Sequence, residues 1–477
     1  MSRSLNMYLK NRFDLTLTPI QQEAVTALDG PTALISCPGS GKTTVSVIRL
    51  ANLIVKGGAD PKRVLALTFS KTAAKDMAKR FDELFPALKN QLRFLTIHSL
   101  AYAIIRHTGH PYQFLDTPDT PKKRQLLAGF YLEATGSYLA DHECEYYESQ
   151  ISLLKNLLIT PRDTAAIHKF IEEDPVVFAQ IYGAYEAYKA EKSLLDYDDL
   201  LTVALDALQA RHALKKHFQD TFTHIQVDEA QDVSLAQWEL LQQLALPQNQ
   251  LFLVGDDDQS IYGFRGADPG IFLKFKQIPG ARIIKMNENF RSSQTIVHLS
   301  STFIQTNQNR YPKEIITHNP PGPPPFFHFF QRESQQFEYL AKCLKALPPK
   351  KTAAVLYRHN ISVAGLLTIL DTYGLSYRLG EKGTGFHHHP IFKDVLAFFQ
   401  LSADPYHAAS FQRLAKVLYL PAITVRQVTA QHELPYLKFL ASNVRFQKPF
   451  QKRKAAAFAA NFPKLATLPP KGRCLTS

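Results

Sequence analysis

The segment Ser36-Cys37-Pro38-Gly39-Ser40-Gly41-Lys42-Thr43-Thr44 stands between a short apolar run, Thr32 to Ile35, and a helix-like stretch, Thr43 to Ile54. Strand, glycine-rich turn and helix in that order commit the chain to an α/β fold built on a parallel sheet. The turn is also a phosphate cradle. Its glycines let backbone N–H groups face inward, Lys42 reaches the outer phosphates of a nucleotide, and the Thr43 hydroxyl offers a ligand to Mg2+. The positive N-terminal end of the helix points the same way. The common pattern begins with glycine where this chain has Ser36. The flanking strand and helix, not the pattern alone, therefore support Ser36 to Thr44 as nucleotide-binding residues. Cys37 is read as a small residue that fits a tight loop, not as a redox switch.

Two further apolar runs end in chemistry. Ile225-Gln226-Val227 leads into Asp228-Glu229-Ala230-Gln231-Asp232, as expected of carboxylates leaving the carboxyl edge of a parallel strand. There Asp228 would share Mg2+ with Thr43, and Glu229 would orient or deprotonate an attacking water. Leu251 to Val254 leads into Gly255-Asp256-Asp257-Asp258-Gln259 and then Ser260-Ile261-Tyr262-Gly263-Phe264-Arg265-Gly266-Ala267. Gln259 is placed to sense a terminal phosphate and report it to Phe264 and Arg265, whose aromatic face and charge suit a nucleic-acid strand of any sequence.

In this order and composition the motifs resemble those of the UvrD-like superfamily one DNA helicases. The resemblance extends to Leu17-Thr18-Pro19-Ile20-Gln21, in which Gln21 would hydrogen-bond adenine. It takes in Thr68-Phe69-Ser70 and Thr96-Ile97-His98-Ser99, in which Phe69 and His98 would touch single-stranded DNA. It ends on Asn289-Phe290-Arg291, in which Phe290 would stack on adenine and Arg291 would reach the γ-phosphate. Phe stands at 264 and 290 where the family often has Trp and Tyr, which keeps the stacking face. The resemblance implies catalytic roles for Lys42, Asp228, Glu229, Gln259 and Arg291, with ATP and Mg2+ as cofactors. It also implies single-stranded and tailed duplex DNA as partners, and ATP-driven movement along DNA in the 3′ to 5′ direction.

Spacing and resemblance together suggest an order of domains. Thr43 and Asp228 are too far apart for consecutive strands of one nucleotide-binding sheet, so an insertion must lie between them. A first RecA-like P-loop motor domain is expected from residues 1–100 and 193–284, interrupted by an all-α subdomain at 101–192. An incomplete second RecA-like domain is expected at 285–400, in which 353–357 reads as a strand and 362–373 as a helix. Part of a second helical insertion follows at 401–477. Two motifs that the family carries beyond that insertion are not found after Arg291, so a C-terminally truncated chain is expected. Such a chain is a helicase, a fragment that binds ATP and single strands without unwinding, or one half of a split enzyme whose partner supplies the missing motifs.

Bulk properties add little. The formal net charge is +13, but nine lysines and arginines and no acid fall from Leu434 onward, leaving +4 for residues 1–433. The DNA reading therefore rests on motifs more than on charge. Four cysteines, at 37, 144, 343 and 474, form no Cys-x-x-Cys pair, so neither a disulfide framework nor a zinc site is indicated. His387-His388-His389 is read as loop rather than ligand set, because adjacent histidines point apart. Met1 to Asp14 lacks the apolar core of a signal peptide, and no apolar run approaches the roughly 20 residues that span a bilayer. No membrane partner and a cytoplasmic, nucleoid-associated, bacterial-type location are expected.

Overall fold

The computed structural model describes residues 2–444 except 138, 140, 247, 269, 309, 359–361, 380–389, 419 and 421, together with 453, 456 and 457. The three histidines at 387–389, Cys474 and most of the basic tail lie outside the described residues. The chain divides into two compact units, Met1–Pro325 and Phe326–Ser477.

In the first unit, α1 (Ser2–Phe13) and α2 (Pro19–Thr26) precede β1 (Thr32–Ser36). There follow α3 (Lys42–Val55), β2 (Val64–Thr68), α4 (Lys71–Leu84), β3 (Arg93–Thr96) and α5 (Ile97–His107). The short strand β4 (Gln113–Phe114) leads into four helices, α6 (Lys123–Thr135), α7 (Asp141–Asn156), α8 (Thr164–Phe170) and α9 (Pro175–Glu191), and β5 (Leu194–Leu195) closes them off. The chain returns through α10 (Asp199–Ala210), α11 (His212–Thr221), β6 (His224–Val227), α12 (Leu235–Ala245), β7 (Leu251–Gly255), α13 (Ile271–Phe275), β8 (Arg282–Met286) and α14 (Gln294–Ile304). Six strands form one sheet in the order β3-β2-β6-β7-β1-β8, and every neighbouring pair is parallel.

All five residues of β1, β2 and β7 are buried, without the alternation of a half-wet strand, because both sheet faces are covered. Leu34, Ala66 and Phe252 pack under α1 to α4, whereas Ala33, Leu65 and Leu253 pack under α5, α10, α12 and α13. The expected insertion is a helical body with its own core around Leu127, Ile151, Phe178 and Tyr185. The boundary drawn at 101 falls inside α5, whose Leu100 and Ile104 belong to the sheet's core. The boundary drawn at 284/285 falls inside β8, which pairs with β1 along Thr32–Ser36 and is the sheet's edge strand.

At the base of the insertion the turn Asp196–Asp199 is held by buried charge. Lys155 lies 2.8 Å from Asp196 and 2.5 Å from Asp199, Lys189 lies 2.6 Å from Asp199, and the Tyr185 hydroxyl donates to Asp196 over 2.8 Å. Removing one ammonium from such a cluster would leave an uncompensated buried charge, so the turn is strongly fixed. It presents Tyr197 outward.

The second unit is helical among its described residues: α15 (Glu333–Lys345), α16 (Ser362–Thr372), α17 (Pro390–Ala403), α18 (Ala408–Val417), α19 (Ala422–Thr429) and α20 (Tyr436–Asn443). The helix expected at 362–373 is α16, but 353–357 forms no strand. An apolar run becomes a strand only when a neighbour pairs with it, and no described residue of this unit does so. Leu356 is consequently 94% exposed. No helix among the described residues is long and apolar enough to cross a membrane.

Candidate functional site

Parallel strands put their carboxyl ends on one edge of the sheet, and each strand there hands the chain to residues singled out above. β1 leads to the phosphate loop, β2 to Phe69, β3 to His98, β6 to Asp228 and Glu229, β7 to Asp256 and Gln259, and β8 to Phe290 and Arg291. This is the edge at which open α/β sheets bind ligands.

The phosphate loop is braced from three sides. Gly39 and Gly41 have φ of 71° and 86°, which only glycine adopts freely. Ser36, where glycine was expected, is fully buried at the end of β1, and its hydroxyl donates to the Gly255 carbonyl over 2.8 Å. The departure is thus a tie to the neighbouring strand. Burial pushes the Cys37 thiol up to about 12, so it is a packed small residue and not a thiolate. Gln21 caps α2 and turns inward: its Oε1 accepts from Thr18 N and its Nε2 donates to the Ser40 carbonyl, both at 3.0 Å. One N–H and one acceptor site of that amide stay available to a ligand. Thr44 lies one residue beyond Thr43 in the first turn of α3, and its hydroxyl accepts from Arg80 Nη2 over 2.6 Å.

The 289–291 segment docks on the same loop. Asn289 Nδ2 donates to the Pro38 carbonyl over 2.7 Å and Phe290 N to the Gly39 carbonyl over 3.0 Å. A Cβ at Gly39 would sit 2.6 Å from the Arg291 Cβ, so the glycine serves close approach as well as φ. Phe290 is 47% exposed and Arg291 is exposed, both beside the cradle.

Lys42 reaches across to β6, where its Nζ lies 2.9 Å from Glu229 Oε2. Burial opposes ionisation of Glu229, but the Lys42 charge and hydrogen bonds from Gln231 and Lys42 outweigh it and hold the carboxyl below its ordinary value. Glu229 has φ of 54°, an unfavourable backbone conformation for a non-glycine residue and one that recurs at functional sites. Asp228 is the opposite case. Burial, then the Glu229 charge, raise it to about 7, and among the described residues no lysine or arginine pairs with it. A buried carboxylate that no lysine or arginine pairs with is a hard oxygen donor of the kind that suits Mg2+.

Sequence reasoning missed the part of the site that joins these groups. Gln231 Nε2 donates to Glu229 Oε2 over 2.9 Å, and its Oε1 accepts from Asp256 N over 2.9 Å. A Cβ at Gly255 would lie 2.5 Å from that Oε1, which explains the glycine at this strand end. Asp256 Oδ2 accepts from Gln259 Nε2 over 2.6 Å. Asp256, Asp257 and Asp258 then meet Lys313, at 2.6, 2.6 and 3.1 Å, and Arg310 grips Asp258 with two bonds of 2.7 Å. Three consecutive aspartates with no lysine or arginine beside them in sequence, and an Arg-x-x-Lys spacing downstream, are the signals that could have found this pairing.

The candidate DNA contacts form two aromatic groups. Phe69 packs on Tyr262 with ring centroids 4.8 Å apart, Tyr262 lies 6.0 Å from Phe264, and the Arg265 guanidinium lies 5.5 and 5.6 Å from the Tyr262 and Phe264 rings. Phe264 is 66% exposed, which removes core packing as its explanation. His98 instead stacks on Tyr197, 4.4 Å away and 18° from parallel, and Tyr197 is 57% exposed. Burial holds His98 below its ordinary pKa against the opposing Asp198 charge, so it is a neutral ring near pH 7. Phe69 and His98 also line a small recess with Asp228 and Glu229, bringing the aromatic groups up to the acidic pair. Tyr197 and Tyr262 were not singled out from sequence.

Comparison with known proteins identifies the family. The family model for the UvrD/REP helicase N-terminal domain matches residues 17–279, and the model for the UvrD-like helicase C-terminal domain matches 284–443. The chain is 30% identical over 422 residues to ATP-dependent DNA helicase PcrA of Bacillus subtilis, covering 86% of this chain and 56% of that protein. It is 28% identical over 464 residues to putative ATP-dependent DNA helicase YjcD of the same organism, covering 94% and 60%. It is 30% identical over 406 residues to PcrA of Staphylococcus aureus, covering 83% and 55%. The chain thus spans little more than half the length of these relatives.

Proposed function

The chain belongs to the UvrD/REP helicase family, and from that membership we propose that it binds ATP with Mg2+ at the carboxyl edge of its sheet and couples hydrolysis to movement along single-stranded DNA. The observation that carries this reading is the continuous hydrogen-bonded path from Lys42 through Glu229 and Gln231 to Asp256 and Gln259, on the loop that ends in Phe264 and Arg265. Nucleotide and nucleic acid would act on two ends of one loop.

Lys42 would exchange Glu229 for the outer phosphates, which frees Glu229 to take a proton from the attacking water. Thr43 and Asp228 would hold Mg2+, which when bound offsets charge on the phosphate oxygens. Arg291 would add a second cation, Phe290 would stack on adenine, and Gln21 would read its edge with the donor and acceptor it has spare. Phe264, Phe69 and Arg265 would hold the strand by stacking and charge, with Tyr262 behind them. His98 and Tyr197 would offer a second, uncharged platform. We assign the first sheet and its helices to a RecA-like motor domain, and 3′ to 5′ polarity and tailed-duplex partners to the chain by family likeness. A protein of this kind works with the nucleoid in the cytoplasm.

Steady-state ATP hydrolysis with and without oligo-dT tests the reading. Lys42→Ala abolishes nucleotide binding, whereas Glu229→Gln keeps it and loses at least about a hundredfold in hydrolysis, the contribution of a general base. Equal loss of binding in both variants contradicts this division of labour. A 3′-tailed duplex in the same assay separates strand separation from ATP-driven binding alone.

A further inference from the structure

Lys313 belongs to none of the motifs, yet its side chain is 0% exposed and touches all three carboxylates of the Asp256–Asp258 turn. A buried ammonium and buried carboxylates are each costly alone, so they fix one another's positions tightly. Two bonds important to the proposed nucleotide site hang on that turn. Asp256 N holds Gln231, which holds Glu229, and Asp256 Oδ2 holds Gln259. The stretch that carries Lys313 is tied in turn to the segment bearing Phe290 and Arg291: Ile316 N donates to the Asn287 carbonyl over 3.0 Å, Asn289 N to the Ile316 carbonyl over 2.8 Å, and Lys285 Nζ to the Pro312 carbonyl over 2.8 Å. Residues 310–316 therefore bridge two loops that leave different strands, β7 and β8.

We propose that Lys313, supported by Arg310, is a positioning residue for the response to the γ-phosphate: it locks the Asp256–Asp258 turn to the 285–291 segment, so that Gln231, Gln259 and Arg291 act as one body. The inference rests on the nucleotide site proposed above. It touches neither substrate nor metal. Its effect falls chiefly on what distinguishes a triphosphate from a diphosphate, because the turn it holds carries Gln259 and the link through Gln231 to Glu229, whereas the backbone of the phosphate loop would hold the inner phosphates.

The test compares binding of fluorescent ADP and a fluorescent non-hydrolysable ATP analogue, both with Mg2+, and amide hydrogen exchange over residues 256–265 of the nucleotide-free chain. Lys313→Met keeps length and loses charge, Arg310→Gln removes the supporting fork, and Arg310→Lys is the conservative control. Lys313→Met weakens the ATP analogue about tenfold, the size expected for one lost charged hydrogen bond, while ADP affinity stays within about twofold. Exchange at 256–265 rises more than in the strands of the sheet, and the unfolding midpoint read by Trp238 falls, because three buried carboxylates lose their ammonium. Arg310→Gln shows the same pattern more weakly, Arg310→Lys restores it towards wild type, and these two carry the test if Lys313→Met fails to fold. Equal loss of both nucleotides, or unchanged exchange at 256–265 in a folded variant, overturns the proposal. If the wild-type chain binds neither nucleotide, the functional reading fails, and the exchange measurement alone decides whether Lys313 locks the turn.

Discussion

Asp228→Asn should stabilise the nucleotide-free chain at alkaline pH and do nothing at acid pH. Folding moves this carboxyl from its ordinary 3.8 to about 7, because burial and the neighbouring Glu229 disfavour its charge. The folded state therefore binds the proton more tightly than the unfolded state. Stability from that proton is fully present below the unfolded value, is lost as pH rises from about 4 to about 7, and above that the fold carries the buried charge at constant cost. At about 1.4 kcal/mol per pH unit the interval corresponds to roughly 2–4 kcal/mol, once relaxation around the site is allowed for. Asparagine cannot ionise, and it keeps the oxygen that accepts from Glu229 N over 3.1 Å. Trp238, the sole tryptophan, is buried in the sheet's core and reports unfolding of the first unit. Urea titrations followed by its fluorescence should show the variant ahead by roughly 2–4 kcal/mol near pH 8 and level with wild type near pH 4. Mg2+ with ATP should stabilise the wild type and not the variant. A variant destabilised equally at both ends of the pH range would refute the argument, since Asp228 would then be a paired structural carboxylate.

Two further outcomes follow from exposure and burial. Phe264→Ala should weaken oligo-dT binding by roughly 1–3 kcal/mol without changing the salt dependence, because stacking carries no counterion release; anisotropy titrations at several salt concentrations check this, and Tyr197→Ala should behave alike. Maleimide at neutral pH should modify exposed Cys343 and spare Cys37 in the folded chain, whose thiol burial holds at about 12, as peptide mass spectrometry would report.

What could be read from the sequence was local. Apolar runs ending in Asp228, in Asp256 and in the phosphate loop announce strands and the edge at which they stop, because a parallel strand buried on both faces shows no alternation. Gly39 and Gly41 announce positive φ. What was hidden depends on partners distant in sequence. Lys313 meets aspartates more than fifty residues earlier, and the acidic triplet and the Arg-x-x-Lys spacing become partners only once the fold brings them together. Gln21 turned inward because the Ser40 carbonyl lies within reach, a fact of folding and not of spacing. Residues 353–357 have the composition of a strand but no pairing neighbour among the described residues, and Lys285 looked like the start of a new domain because its pairing with Ile35 is invisible locally. Tyr197 was hidden for the same reason: its value lies in His98, a hundred residues away across the base of the insertion.

If one connected loop reads both nucleotide and single strand, the two ligands are thermodynamically linked. The affinity of oligo-dT should be measured with and without a saturating non-hydrolysable ATP analogue and Mg2+, and the affinity of the analogue with and without saturating oligo-dT. Each ligand should change the other's affinity by the same factor, at least about fivefold, and Lys42→Ala should abolish the effect while leaving oligo-dT binding intact. Affinities that are independent of one another, or an effect that survives Lys42→Ala, would contradict it.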